Sequence, residues 1–141
     1  MSDEPAQGPT TGLTPHLTIG QGRAAQAIDF YTAAFGAVEQ RRVMAQDGER
    51  IMHAHLLING ASLMLNDHFP EMAGGAQARV PAAITLHLQV DDADMWWARA
   101  LSAGASVRFP IDDQFWGDRY GQVDDPFGFT WSIGSPISPS R

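Results

Sequence analysis

The chain has 141 residues, of which 44% are hydrophobic and 18% charged, proportions typical of one globular domain. Its net charge is −7 and every basic residue is an arginine, so nucleic acid is an unfavourable partner, because its binding depends on neutralising phosphates. The absence of cysteine excludes disulfides, a thiolate nucleophile and a cysteine-based zinc site. No apolar run suggests a membrane helix and the first residues carry no signal-peptide pattern, so we expect a cytoplasmic protein without a membrane partner.

The first half of the chain predicts a strand, a helix and three further strands. Residues 1–12 are rich in proline, glycine and polar residues and predict a disordered tail, after which 15–20 alternate as a strand. Residues 23–35 carry apolar side chains at helical spacing, and Gly36 follows where a helix C-terminus favours positive φ. Asp-Gly and Asn-Gly hairpin dipeptides then separate three predicted strands, over 37–45, 50–58 and 61–65.

The second half repeats this order after a glycine- and proline-containing linker over 67–80. Residues 83–90 alternate as a half-buried strand, and Asp91 or Asp92 can cap the helix that runs to Ala103. Gly104 then ends this helix as Gly36 ends the first. The last three strands are predicted over 106–111, 119–124 and 129–133. We therefore predict an α+β fold built from two βαβββ modules, in one domain over 13–135 with modules 13–66 and 82–135, and a C-terminal tail over 136–141.

The segment between the last helix and the last strand has an unusual composition. Residues 115–119 read Phe-Trp-Gly-Asp-Arg and bring two large aromatic side chains to a loop, where small polar residues are usual. Residues 125–128 read Asp-Pro-Phe-Gly, the residue order of a type I turn, so a hairpin is predicted here. Five acidic residues crowd this end, and we interpret them as solvated turn residues: Asp112, Asp113, Asp118, Asp124 and Asp125.

These motifs resemble the second half of a vicinal oxygen chelate protein. That superfamily includes glyoxalases, bleomycin-resistance proteins and extradiol dioxygenases, and over residues 14–135 the chain is most similar to its PhnB-like branch. The resemblance implies that the two βαβββ modules form cupped mixed β-sheets around a shared cavity. We also expect a two-fold homodimer, because a cupped sheet leaves an apolar opening that another module can cover.

The resemblance also implies where a metal would be bound. In metal-dependent members the ligands come from the first and last strands of each module, which puts His16 at the first position. The other positions fall near Met64, Thr85 and Ser132, with His87 two residues beyond Thr85. At these superfamily positions only His16 and His87 are candidate metal ligands, whereas zinc or iron catalysis needs about three protein ligands. We therefore predict no complete metal site and no cofactor, with a divalent metal as the alternative.

Strand alternation groups a set of polar residues on the faces opposite the apolar residues that pack on the helices. His87 in this set is either a hydrogen-bonding partner of a ligand or a structural histidine, and His53 and His55 either chelate a metal or line a cavity. We predict that this set lines a ligand cavity, with two aromatic residues at its rim; no catalytic residue is identified. The predicted lining is His16, Thr18, His53, His55, Thr85, His87, Gln89, Thr130 and Ser132, with Phe115 and Trp116 at the rim.

Three function classes remain open at this point. The first is a binding module that holds a small organic molecule between its βαβββ modules without chemistry. The second is a metal-dependent lyase, isomerase or dioxygenase of the vicinal oxygen chelate type. The third is an interaction or regulatory protein, and the acidic charge argues against DNA as its partner. We predict the first class, with a small molecule as the partner.

Overall fold

A computed structural model describes residues 8–137, so the predicted tails fall outside it at residues 1–7 and 138–141. The chain divides into two compact units, one with the residues up to Thr32 and Gly36–Arg79, the other with Ala33–Phe35 and the residues from Val80 onward. Their elements follow the predicted order: β1 His16–Ile19, α1 Ala24–Phe35, β2 Val38–Met44, β3 Ile51–Ile58, β4 Ala61–Asp67, β5 Thr85–Gln89, α2 Ala93–Ala103, β6 Ser106–Asp113, β7 Asp118–Asp124 and β8 Thr130–Pro136.

Each module contains one four-stranded mixed sheet. The first sheet has the order β1-β4-β3-β2 and the second has the order β5-β8-β7-β6. In both sheets the first strand of the module runs parallel to the last, and the remaining neighbours are antiparallel. The predicted α+β fold of two βαβββ modules is confirmed.

The two modules also begin their helices in the same way. The amide of Ala24, at the start of α1, donates to the buried carboxylate of Asp67 at 2.9 Å, and the amide of Ala93 donates to the hydroxyl of Ser135 at 3.3 Å. Asp67 and Ser135 lie at matching places near the ends of β4 and β8. Of the two predicted caps of α2, Asp92 is the one whose side chain accepts, from the amide of Met95.

Both helices end at a glycine in the left-handed conformation, as the sequence predicts. Gly36 has a φ of 66° and Gly104 a φ of 117°, which L-residues with a side chain rarely adopt. The Asn59-Gly60 turn has positive φ at both residues, the geometry of a two-residue hairpin turn that fits the twist of its strands.

Some element boundaries differ from the predicted ones. β4 extends two residues further, to Asp67, and β8 includes Pro136, which the sequence analysis placed in the C-terminal tail. β5 begins at Thr85 rather than at residue 83, because Ala83 has a φ of 60° and cannot continue a strand. The linker contains one 3₁₀ turn, Pro70–Met72. Over residues 8–137, no helix is long and apolar enough to cross a membrane.

The apolar face of each sheet forms the core of its unit. In the first unit the largest fully buried side chains come from β1, α1, β3 and β4, and in the second unit Val123 and Ile133 are fully buried. Phe35 belongs to the second unit, where its ring packs 4.7 Å from that of Trp131. The largest fully buried side chains of the first unit are Ile19, Tyr31, Ile51, Leu56 and Leu65.

The turn at 125–128 depends on a buried carboxylate. Asp125 is only 6% exposed and accepts hydrogen bonds from the amides of Phe127 and Phe129 and from the indole of Trp131. The interpretation of Asp125 as a solvated turn residue is therefore wrong. Three donors compensate for the removal of this carboxylate from water.

Candidate functional site

The face of the first sheet that points away from its apolar core carries a row of polar side chains. The strand register places His16 of β1 beside Met64 of β4, Met64 beside His55 of β3, and His55 beside Arg41 of β2. Two residues further along the same strands, the hydroxyl of Thr18 lies 3.3 Å from the side-chain oxygen of Asn66. Four of the predicted lining residues therefore share one sheet face: His16, Thr18, His53 and His55.

The two histidines of β3 have different surroundings. His55 is 92% buried, since its exposed fraction is 8%, and its Nε2 lies 2.8 Å from the hydroxyl of Ser62. Its Nδ1 is buried and has no hydrogen-bond partner within residues 8–137. His53 lies next to the backbone of Gly8, where an added Cβ would be 3.7 Å from the imidazole Cε1. The backbone at Gly8, which precedes β1, therefore packs on this face of the first sheet.

The matching face of the second sheet holds a hydrogen-bonded chain of three side chains. The register places His87 of β5 beside Ser132 of β8, and His87 Nδ1 lies 2.7 Å from the Ser132 hydroxyl. His87 Nε2 lies 2.8 Å from the side-chain oxygen of Gln89. Because that oxygen only accepts, Nε2 donates to it, and Nδ1 pairs with the hydroxyl of Ser132. Both ring nitrogens of His87 are thus engaged.

Four aromatic rings follow one another from this chain to the loop before β7, and we call them the aromatic ladder. The imidazole of His87 stacks on Tyr120 with centroids 5.7 Å apart, and Trp116 meets Tyr120 edge-on at 5.4 Å. Phe115 meets Trp116 edge-on at 5.2 Å. Gly134 lies between Tyr120 and Gln89 in the sheet register, and its missing side chain leaves room for the imidazole.

The aromatic ladder borders a cavity of about 260 Å³, which we call the second-sheet cavity. Sequence reasoning missed two of its residues, Asp118 and Tyr120. Both lie on β7, where side chains two apart share a face, so alternation along this strand was the signal that pointed to them. The cavity is lined by Thr85, His87, Trp116, Asp118, Tyr120 and Ser132.

Asp118 differs from the acidic residues around it. Its side chain is half-buried and forms no hydrogen bond or ion pair with another residue between positions 8 and 137. Its interpretation as a solvated turn residue is wrong, because it is the first residue of β7 and lines a cavity. The hydroxyl of Thr85, in the same cavity, likewise has no partner within the described chain.

The predicted lining residues of the second module divide into three groups. Thr85, His87, Trp116 and Ser132 meet at the second-sheet cavity, and Gln89 is joined to it through His87. Phe115 lies outside, 97% exposed, at the end of the aromatic ladder.

Thr130, in the third group, lies on the same strand face but not in this cavity. Its hydroxyl donates to Asp124 at 2.7 Å, and Asp124 also forms an ion pair with Arg108 at 3.6 Å. These three residues border a second depression, of about 470 Å³, whose other lining residues are Pro81, Ala82, Ala83, Ile84 and Gly128.

The side chains present do not fit the metal site that the resemblance implies. His16 has Met64 as its neighbour in the first sheet, and His87 has Ser132 in the second, so neither pair includes a carboxylate. The third metal-ligand position, expected near Thr85, needs correction. His87 pairs with Ser132 in the second sheet as His16 pairs with Met64 in the first, so His87 occupies this position. Among residues 8–137, no three His, Asp or Glu side chains are grouped closely enough to hold a metal ion.

The family model for the Glyoxalase/Bleomycin resistance protein/Dioxygenase superfamily matches residues 14–133. An uncharacterised protein of Mycobacterium bovis is 50% identical over 130 residues, which cover 89% of this chain and 83% of that protein.

Two solved structures share the fold. A protein from Pseudomonas aeruginosa has a TM-score of 0.73 at 23% identity, covering 92% of this chain and 100% of that one. A Bacillus cereus protein described as a PhnB protein has a TM-score of 0.67 at 19% identity, with coverages of 89% and 99%. At these identities the likeness concerns the fold alone. On the family match and the mycobacterial relative, the chain belongs to the glyoxalase/bleomycin resistance protein/dioxygenase superfamily.

Proposed function

We propose that this protein binds a small, partly apolar organic molecule in the second-sheet cavity without a metal ion. The observation that carries the proposal is the cavity itself, about 260 Å³ with aromatic walls and a few polar groups. Ligand sites in proteins combine apolar or aromatic walls with a small number of polar anchors, and this combination is what the cavity offers. No reaction is part of the proposal.

The polar groups of the cavity have separate tasks in this proposal. The hydroxyl of Thr85 and the carboxylate of Asp118 anchor the ligand, because neither has a partner among the described residues. Both nitrogens of His87 are occupied by Ser132 and Gln89, so His87 instead contributes the face and edge of its ring. The hydrogen bonds keep this ring in place before a ligand arrives, which lowers the entropy cost of binding.

We further propose that the polar face of the first sheet contacts ligand. His16, Thr18, His53 and His55 lie there together, and His55 Nδ1 is a buried nitrogen without a partner in the described chain. Such a nitrogen gains from a hydrogen bond that a ligand or an ordered water supplies. This part of the lining remains a prediction.

The second candidate function, a metal-dependent lyase, isomerase or dioxygenase, is disfavoured by the donor set. A thioether and a hydroxyl stand beside His16 and His87, and neither supplies the charge that a divalent cation needs to exchange its water. Membership of the PhnB-like branch remains a prediction from the sequence motifs. The net charge of −7 supports a protein without a nucleic-acid partner, and cytoplasmic location remains a prediction.

A fragment screen by NMR tests the proposal, with the indole N–H signals of the four tryptophans as reporters. Chelator-treated protein is expected to show saturable shifts of the Trp116 signal with neutral or charged aromatic fragments. The indole of Trp131 is the internal control, because this side chain is 3% exposed in the core and its N–H is bonded to Asp125. A screen in which no fragment shifts Trp116 more than Trp131 would contradict ligand binding at this cavity.

A further inference from the structure

We propose, resting on the proposed function, that the ligand of the second-sheet cavity carries a positive charge next to a flat apolar group, as an aryl-alkyl ammonium does. Asp118 holds the ammonium group, and the rings of Trp116 and Tyr120 flank it. All of these side chains belong to the second unit.

Asp118 is an acidic residue of the cavity, and its neighbours show how unusual its lack of a partner within residues 8–137 is. Asp94 and Asp113 both bind the guanidinium of Arg119, at 2.9 and 3.1 Å. Asp124 binds Arg108 and the hydroxyl of Thr130. A half-buried carboxylate loses part of its hydration, and a bound cation restores the lost interaction energy.

Among residues 8–137, no arginine lines the second-sheet cavity to neutralise this charge, and the imidazole of His87 is bonded to Ser132 and Gln89. Arg119, the next residue along β7, has its guanidinium bonded to Asp94 and Asp113 instead. The chain as a whole carries a net charge of −7, so the surrounding field also attracts cations. A cationic ligand is therefore favoured over a neutral or anionic one at this place.

The aromatic rings beside Asp118 strengthen the same preference. The face of a tryptophan or tyrosine ring attracts a cation through its quadrupole, with about 0.5–2 kcal/mol depending on desolvation. Trp116 is half-exposed at the cavity, so its surface is available to a ligand. Tyr120 is fixed on two sides, because His87 stacks on its ring and Gln122 donates to its hydroxyl at 3.0 Å. The rings are thus held in place before the ligand binds.

The volume of the cavity is enough to hold a small amine. A volume of about 260 Å³ lies below the range of roughly 300–1,000 Å³ in which drug-sized ligands bind. One ring with a short aminoalkyl group fits this space. Benzylamine, which is protonated near neutral pH, and benzyl alcohol, which is neutral and of similar shape, form a matched pair of probes.

The test measures the affinity of both probes by following the Trp116 indole signal in the wild type and in three variants. The wild type is expected to bind benzylamine about tenfold more tightly than benzyl alcohol, a difference of about 1.4 kcal/mol. Asp118→Asn is nearly isosteric and removes the charge, so it should abolish the preference for benzylamine over benzyl alcohol. Asp118→Glu keeps the charge and should retain the preference.

Asp29→Asn is the matched control for net charge, because Asp29 is an exposed residue of α1 and does not line the cavity. It should leave both affinities unchanged. If Asp118→Asn keeps the preference for benzylamine, or if the wild type binds both probes equally, the cationic ligand class is overturned while ligand binding stands. If neither probe produces a saturable shift of Trp116, the inference and the proposed function both fail.

Discussion

Gly134 is the residue on which the geometry of the second-sheet cavity depends most directly. A Cβ at this position would lie 3.0 Å from Cε1 of His87, 3.3 Å from the backbone oxygen of Arg119 and 3.4 Å from the side-chain oxygen of Gln89. The backbone of Gly134 does not have positive φ, so the requirement for glycine is one of space and not of conformation. The stacking of His87 on Tyr120 needs that space.

Gly134→Ala therefore tests the arrangement of the aromatic ladder. The added methyl group should displace the imidazole, lengthen the His87–Ser132 hydrogen bond and lower stability by about 1–2 kcal/mol through overpacking. The measurement is urea unfolding together with the NMR signals of the Tyr120 ring. Gly20→Ala is the matched control, because a Cβ there meets only Ala78, at 3.5 Å. Unchanged Tyr120 signals in Gly134→Ala would contradict the packing described.

The limits of sequence reasoning at the residue scale are clear in β5 and β7. The sequence predicts Thr85, His87 and Ser132 as lining residues because strand alternation groups polar side chains on one face. It predicts Trp116 at the rim because two large aromatic residues are unusual in a loop. Asp118 was missed because the acidic residues read as a solvated cluster, and Tyr120 was missed because alternation was not applied to β7. The partnership of His87 with Ser132 depends on a parallel strand register between β5 and β8, which no local pattern encodes.

At the scale of elements, Arg50 joins the β2–β3 turn to the linker that follows β4. Its guanidinium binds Asp47 at 2.6 Å and Glu71 at 2.7 Å, and it lies 4.4 Å from the ring centroid of Phe69. The amides of Arg50 and Glu49 and the Arg50 side chain lower the pKa of Asp47 to about 2. Hydrogen bonding to Arg50 lowers the pKa of Glu71 to about 2 as well.

These lowered pKa values predict how stability depends on pH. The folded state favours the ionised carboxylates of Asp47 and Glu71, so their contribution is complete above the ordinary carboxyl pKa and is lost as the pH falls towards about 2. Arg50→Gln should make the fall in stability between about pH 5 and pH 2 shallower, because Glu71 loses its partner. Urea unfolding across this pH range measures the slope.

Arg42→Gln is the control for the Arg50 experiment. Arg42 forms an ion pair with Glu39 at 2.6 Å, of similar exposure, within β2 and away from the linker. It should change the acid slope less than Arg50→Gln does. Equal slopes in the wild type and in Arg50→Gln would show that the Arg50 cluster contributes nothing to the pH dependence.

The order of the elements could be predicted from local sequence signals, whereas the site depends on the register between distant strands. Alternation, helical spacing and the turn dipeptides are local signals, and the left-handed conformations of Gly36 and Gly104 confirm the two helix ends. The boundaries of β5 and β8 were less accurate. Ala83 takes positive φ, which its side chain does not favour, and Pro136 continues β8 although proline lacks an amide hydrogen.

At the scale of the whole molecule, a two-fold homodimer remains a prediction. One edge strand of each sheet, β2 in the first and β6 in the second, leaves apolar side chains exposed. The exposed fractions are 57% at Val38 in β2 and 47% at Phe109 in β6. Such strands are commonly covered by another chain, and isologous dimers are the commonest oligomers. Light scattering at micromolar concentration should give twice the chain mass of 15.3 kDa. A mass of 15.3 kDa that persists on concentration would contradict the dimer.

The chain belongs to a superfamily whose resemblance implies a metal site in some members. Whether this protein binds a metal ion is therefore the central question for the whole molecule. Metal-dependent catalysis requires further metal ligands beside His16 and His87. Binding of an organic molecule by side chains alone does not. The neighbours observed, Met64 and Ser132, are poor partners for a hard cation.

Calorimetric titration of chelator-stripped protein with zinc, nickel, manganese and iron(II) tests this claim most directly. We predict no stoichiometric binding at micromolar or tighter affinity, and the same result for the His16→Ala and His87→Ala variants. Stoichiometric binding by the wild type that either substitution abolishes would contradict the metal-free account and favour a metal-dependent enzyme.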